Sequence, residues 1–246
     1  MKSGKLLLLV LQLSLVTACG SGGGSGSPVT QPPAPPPPTD ANVMNVTVNG
    51  SLCSPGSYPN KACVSVTICA PGTATCQTIN DILLDTGSSG LRIFSQALTV
   101  PLTPISAGTG KLAECFQFVN ANDWGPVEMA SVTLGGEPAE QIPIHVIDST
   151  FGTIPGPCAG AEISPAVAFF NGVLGVGLFA QDGGLYYTCS GKTCSGTTVP
   201  PASQVQNPVA LLPQDNNGVI VEIPAIPATG GVFVNGLVVL GIGTRS

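Results

Sequence analysis

The chain has 246 residues, of which 8% are charged, 43% hydrophobic and 5% aromatic, with 32 Gly, 24 Pro, 9 Cys and 1 His and a formal net charge of −6. So little charge beside so much glycine and proline argues against a helical bundle, which needs long charged faces, and suits a turn-rich β protein. There is no basic stripe to neutralise phosphates, so nucleic acid is not an expected partner, and a single histidine leaves no multi-histidine metal site or HExxH helix.

In chain order, residues 1–18 read as a signal peptide. Lys2 and Lys5 form its positive end, and Leu6 to Val16 (LLLLVLQLSLV) is an apolar run. It is shorter than the roughly 20 residues a spanning helix needs and fits a secretory h-region. Val16-Thr17-Ala18-Cys19 resembles the lipobox of bacterial lipoproteins, where cleavage precedes the cysteine and the thiol receives a lipid. That resemblance implies an exported, lipid-anchored protein of the bacterial envelope, and Gly20 is compatible with outer-membrane delivery. Residues 19–41 then form a Gly/Ser/Pro-rich tether, a flexible coil followed by a stiffer polyproline spacer.

With Cys19 set aside for lipid, an even set remains: Cys53, Cys63, Cys69, Cys76, Cys115, Cys158, Cys189 and Cys194. An even set in an exported chain points to disulfides, although many connectivities are open. The short spacings suggest Cys53–Cys63, Cys69–Cys76 and Cys189–Cys194, which would leave Cys115–Cys158. Cys189 and Cys194 have a tolerable zinc half-site spacing, but no matching pair follows, so neither a metal nor a cofactor is expected.

Residues 42–246 carry a β pattern throughout. Asn45 to Gly50, Val64 to Ile68, Val127 to Leu134 and Ile142 to Ile147 alternate with period two between Gly, Pro or Asn. Asn217-Gly218 predicts a turn into Val219 to Ile223, and Asn235-Gly236 predicts a type I′ hairpin turn within Val232 to Val239. No helical period runs beyond two turns and no repeat is visible. One all-β, disulfide-stapled domain is expected.

Asp81-Ile-Leu-Leu-Asp-Thr-Gly-Ser-Ser-Gly-Leu-Arg-Ile-Phe94 is the stretch richest in chemistry. An apolar strand delivers Asp85 into a Thr86-Gly87-Ser88-Ser89-Gly90 turn and a second apolar strand leaves it. Hydroxyls and N–H groups at such a bend can hold a shielded carboxylate and tune its pKa. A surface Asp in a hairpin turn is the bland alternative, and the flanking strands weigh against it.

Asp85-Thr-Gly-Ser-Ser resembles the active-site motif of aspartic proteases of the pepsin and retropepsin type. The likeness continues through Trp124-Gly125 and Val127 to Gly136, similar to the strands after the pepsin flap, and Gln141 to Asp148. It extends to Phe170-Asn-Gly-Val-Leu-Gly-Val-Gly177, similar to the segment beneath the catalytic aspartate, and to Gly218 to Gly243. It covers about residues 42–246 in order and also resembles a family of bacterial secreted lipoproteins of unknown function with pepsin-like halves. The resemblance implies a closed or sandwiched β-barrel lobe, with Asp85, Thr86, Gly87 and Ser88 as catalytic-loop residues.

The chain departs from the family in having one Asp-Thr-Gly. Aspartic proteases use two carboxylates about 3 Å apart that share a proton. Asp81 is expected at a strand entrance, Asp123 precedes Trp-Gly, Asp148 precedes Ser-Thr, and Asp182 and Asp215 sit in Gly/Asn turns. No flap tyrosine is evident, since Phe116, Phe118 and Trp124 occupy that region. Other motifs are weaker. Gly175-Val-Gly-Leu-Phe-Ala180 leads into a turn rather than a dinucleotide-binding helix, Gly108 to Lys111 is an incomplete P-loop, and His145 lacks a GxSxG partner. Three readings remain: a peptidase acting on polypeptides as a homodimer, half of a two-lobed enzyme, or a non-catalytic binding module.

Overall fold

The computed structural model describes residues 32–56 and 58–244, with the backbone alone at Glu140. The signal peptide, Cys19, the tether up to Gln31 and the terminal Ser246 lie outside the described residues. The strands are β1 (Val43–Val48), β2 (Ala62–Cys69), β3 (Cys76–Asp85), β4 (Ser89–Phe94), β5 (Thr103–Pro104), β6 (Ser106–Ala107) and β7 (Gly110–Gln117). They continue with β8 (Asn122–Leu134), β9 (Glu137–Ile147), β10 (Gly172–Val176), β11 (Leu185–Ser190), β12 (Thr193–Gly196), β13 (Val219–Glu222) and β14 (Val234–Leu240). A single helical turn, α1 (Pro165–Ala168), precedes β10.

Six strands close into a barrel, in the order β2–β3–β10–β4–β9–β8 and back to β2. Period-two patterning builds its interior. On β2, Val64, Val66 and Ile68 turn inward, while Ser65 and Thr67 turn outward, where the Thr67 and Thr78 hydroxyls meet at 2.8 Å. Each fully buried aliphatic side chain contributes about 1.5–3 kcal/mol. The fold is all-β, as the resemblance implies.

β8 serves two sheets. Its first residues pair with β7, which continues to β11 and β12, and its later residues pair with β9. The second sheet has its own core around Trp124, whose Nε1 donates to the Phe151 carbonyl at 2.7 Å and whose ring meets Tyr187 edge-on.

On the opposite side, β1, β14 and β13 extend the barrel sheet. The Asn217-Gly218 turn forms, with Gly218 at φ +131° and the Asn217 side chain holding both Ile242 N (2.7 Å) and Ile242 O (3.0 Å). Asn235-Gly236 forms no hairpin turn. Both residues lie inside β14, paired with Thr47 and Val46 of β1. A Cβ at Gly236 would lie 2.3 Å from the Glu222 carbonyl, so the glycine serves close strand approach rather than a bend.

Asp81 also differs from expectation. It sits inside β3 at φ +59°, beside a register shift in β2, and its carboxylate pairs with Lys61 Nζ at 2.7 Å, both side chains 3% exposed. A bulge turns this carboxylate away from the strand ladder to meet the ammonium. Four disulfides staple the body: Cys53–Cys63, Cys69–Cys76, Cys115–Cys158 and Cys189–Cys194. Cys69–Cys76 and Cys189–Cys194 link directly paired residues of the β2–β3 and β11–β12 hairpins, and Cys115–Cys158 ties β7 to the turn at Gly156–Cys158.

Candidate active-site loop and cleft

Asp85 ends β3, and β4 begins at Ser89. Between them runs β10, parallel to β3 with Gly175 opposite Asp85, and antiparallel to β4 with Gly175 opposite Gly90. The Gly177 N–H donates to the Ser88 carbonyl at 2.7 Å. Only glycine allows this threading: a Cβ at Gly175 would meet Ser88 Oγ, C and O at 2.7–2.8 Å. The loop is therefore clamped from below by its own backbone.

The Asp85 carboxylate is partly exposed, and its Oδ1 accepts the Gly87 N–H at 2.8 Å. Among the described residues no other donor reaches it. Ser88 Oγ is buried without a hydrogen bond, while Thr86 and Gly87 are exposed. The loop hydroxyls thus do not hold the carboxylate as anticipated. The loop faces two hollows. Asp85 lines a cavity of about 420 Å³, and Thr86 lines another of about 400 Å³ with Leu178, Phe179 and Ile242.

Leu83, Phe170, Val173 and Tyr58 wall the Asp85 cavity, and the β7–β8 hairpin adds Phe118, Asn120 and Ala121. A buried ionic cluster anchors the hairpin. The fully buried Arg92 of β4 lies with its guanidinium 3.5 Å from the Phe116 ring centre and 5.7 Å from that of Phe118. Its Nη2 pairs with Asp182 Oδ2 at 2.6 Å, and Glu114 Oε1 lies 3.8 Å away. Asp182 is no simple turn residue, for it also accepts the Tyr186 hydroxyl at 2.8 Å.

Burial and the charge of Asp182 push the Glu114 carboxyl well up, against the opposing pull of Arg92. Burial and Arg92 push His145 well down. Both shifts favour the uncharged forms at their 3.2 Å contact. His145 is a wholly buried core residue on β9 and does not face solvent.

A second acid pair borders the cleft. Burial, then the charge of Glu162, raises Asp123 to about 7. Glu162 is half-buried, itself raised by burial, and lines the Asp85 cavity. Sequence reasoning passed over Glu162, which sits in an Ala/Gly-rich loop without a motif. Arg92 had a signal: a cation inside an apolar strand of a cation-poor chain needs a buried partner. Cys53, Cys63 and Asp81 cluster with metal-like geometry, but both sulfurs are consumed by one disulfide.

A family model described as "Protein of unknown function (DUF3443)" matches residues 38–246. The chain belongs to the DUF3443 family. No curated protein sequence matches it. Among solved structures it is similar to the aspartic proteinase from Irpex lacteus, at 16% identity and a TM-score of 0.45 over 81% of this chain and 47% of that one. It thus spans about half the length of that proteinase.

In the DUF3443 chain the Thr86 side of the loop is markedly apolar. Leu178 is 100% and Phe179 75% exposed, and Val221 and Ile242 are exposed beside them. β13 carries this surface to the sheet margin, paired on one edge by β14 and, among the described residues, open on the other. Monomeric surfaces seldom keep such contiguous apolar area or an unprotected edge.

Proposed function

We propose that this chain is an aspartic-peptidase-like lobe of an exported lipoprotein, in which Asp85 supplies one of two carboxylates that activate water for peptide hydrolysis. The observation that carries this reading is Asp85 itself, a partly exposed carboxylate on a glycine-clamped loop, lining an apolar cavity capped by a hairpin. In such chemistry one carboxylate takes a proton from water while its neighbour, about 3 Å away, protonates the scissile carbonyl. The second carboxylate comes from another lobe of this kind, from a second copy or a further chain segment. The exposed Thr86 and Gly87, the Leu178–Phe179 surface and the open edge of β13 support docking on that side. Cys19 carries the lipid in this reading and anchors the lobe to the envelope; palmitate labelling lost in Cys19→Ser tests that part.

The decisive assay is digestion of an unfolded protein between pH 3 and 7 by the wild type and Asp85→Asn. Cleavage that disappears in the variant, with activity rising with the square of protein concentration, is expected if two copies assemble the dyad. A folded wild type that cleaves nothing, alone or with a second lobe supplied, overturns the catalytic reading. The single Asp-Thr-Gly of this sequence favours a second reading, a binding module without catalysis, and that result would leave it standing.

A further inference from the structure

We propose that the Asp85 cavity recognises a basic side chain of a polypeptide, its aliphatic stem against Phe118, Phe170 and Val173 and its cationic end on Glu162. This deepens the proposed function and rests on it for the polypeptide nature of the ligand. The cavity, about 420 Å³, is of a size that accepts such groups. Its lining combines apolar and aromatic walls with two carboxylates, Asp85 and Glu162, and no lysine, arginine or histidine.

The chain's own nearby cations are spent elsewhere. Lys61 stands between the lining residues Asn60 and Ala62, but its ammonium is buried against Asp81 at 2.7 Å, the Phe169 carbonyl at 2.6 Å and the Ser54 carbonyl at 3.1 Å. Arg92 is locked onto Asp182. Among the described residues the negative end of the cavity therefore has no internal counter-ion. A cation held between a carboxylate and aromatic faces is stabilised by both.

Glu162 is held in place for this role. Its N–H donates to the Asn122 carbonyl at 2.8 Å, and Ala161 bridges to Asn122, which pins the loop to the stem of the hairpin. Behind it stands Asp123, 1% exposed, with neither oxygen receiving an N–H. The charged groups facing Asp123 are Glu162 from the loop before α1 and Arg92 from β4. A cation arriving at Glu162 thus brings positive charge to a carboxyl pair short of hydrogen-bond donors.

The test uses the full chain carrying Asp85→Asn, so that nothing is turned over. Calorimetric titration compares blocked pentapeptides, acetyl-Ala-Ala-Xaa-Ala-Ala-amide, in which Xaa is arginine, norleucine or glutamate. Arginine is expected to bind about tenfold more tightly than norleucine and glutamate most weakly. Glu162→Gln should bring arginine down to norleucine while leaving norleucine within about twofold, which also certifies an intact pocket. Equal binding of arginine and norleucine, or an arginine preference surviving Glu162→Gln, overturns the inference. An arginine preference without hydrolysis by the wild type sinks only the catalytic reading, and hydrolysis without the preference sinks only this one.

Discussion

Arg92→Met is expected to destabilise the lobe by about 3–5 kcal/mol, the cost of removing one partner from a buried ion pair. The guanidinium it deletes is fully buried, donates to Asp182 at 2.6 Å and to the Ser89 carbonyl at 3.1 Å, and stacks 3.5 Å from Phe116. Methionine restores most of the volume but leaves the buried Asp182 without its cation, with the Tyr186 hydroxyl and the Gly184 N–H as its remaining donors among the described residues. Asp182→Asn should cost less, about 1–2 kcal/mol. Glu114 lies 3.8 Å from the same guanidinium nitrogen, and the Asp182 charge is one of the causes that raise its carboxyl, so Asp182→Asn shifts it down towards pairing with Arg92. The double variant should therefore fall short of the sum by about 1–3 kcal/mol. Urea unfolding followed through Trp124, the single tryptophan, reads the cycle directly. Each kcal/mol should appear as about 2–4 °C in Tm for a domain of this size. Strict additivity, or an Arg92→Met variant as stable as the wild type, would refute the argument that these groups act as one unit.

Gly175→Ala should cost about 1–3 kcal/mol, because the new methyl meets the Ser88 backbone, and a thermal melt unchanged within a degree would contradict the clamped-loop description. Removing Cys115–Cys158, with a sequence separation of 43, should cost about 4 kcal/mol, against about 2 kcal/mol for Cys189–Cys194 with its separation of 5; serine pairs compared in urea test the ranking. Asp123 keeps its proton up to about pH 7 when folded, against an ordinary value of 3.8. The folded state therefore binds the extra proton across that window, and this residue's contribution to stability falls as pH rises through it. Asp123→Asn should gain a few kcal/mol relative to the wild type between about pH 4 and pH 7.5, and a difference that stays flat with pH would count against it.

Strands with strict alternation, such as β2 and the later part of β8, were legible because period two is a local property. The Asp85 turn was legible for the same reason, its glycines and hydroxyls being contiguous. What lay beyond reach depends on distant partners. Arg92 and Asp182 are 90 residues apart, and nothing near either marks the other. Glu162 gains its significance only because its loop returns to the hairpin stem. Asn235-Gly236 misled in the opposite way: a strong local turn preference gives way when β1 pairs along it and β13 takes up the pairing from Leu237 onward. Asp81 was expected at a strand entrance because the bulge that turns it inward has no sequence signature of its own.

The threading of β10 between β3 and β4 also governs when the loop comes into being. The Asp85 turn is synthesised early, but its clamp at Gly175 and Gly177 arrives only after β5 through β9 have been made. Closing so long a segment is slow and cannot be rewarded until the last piece is in place. A chain emerging N-terminus first thus carries an unclamped Asp85 loop until β10 has been made, and the carboxylate takes its fixed position only once all six barrel strands are present.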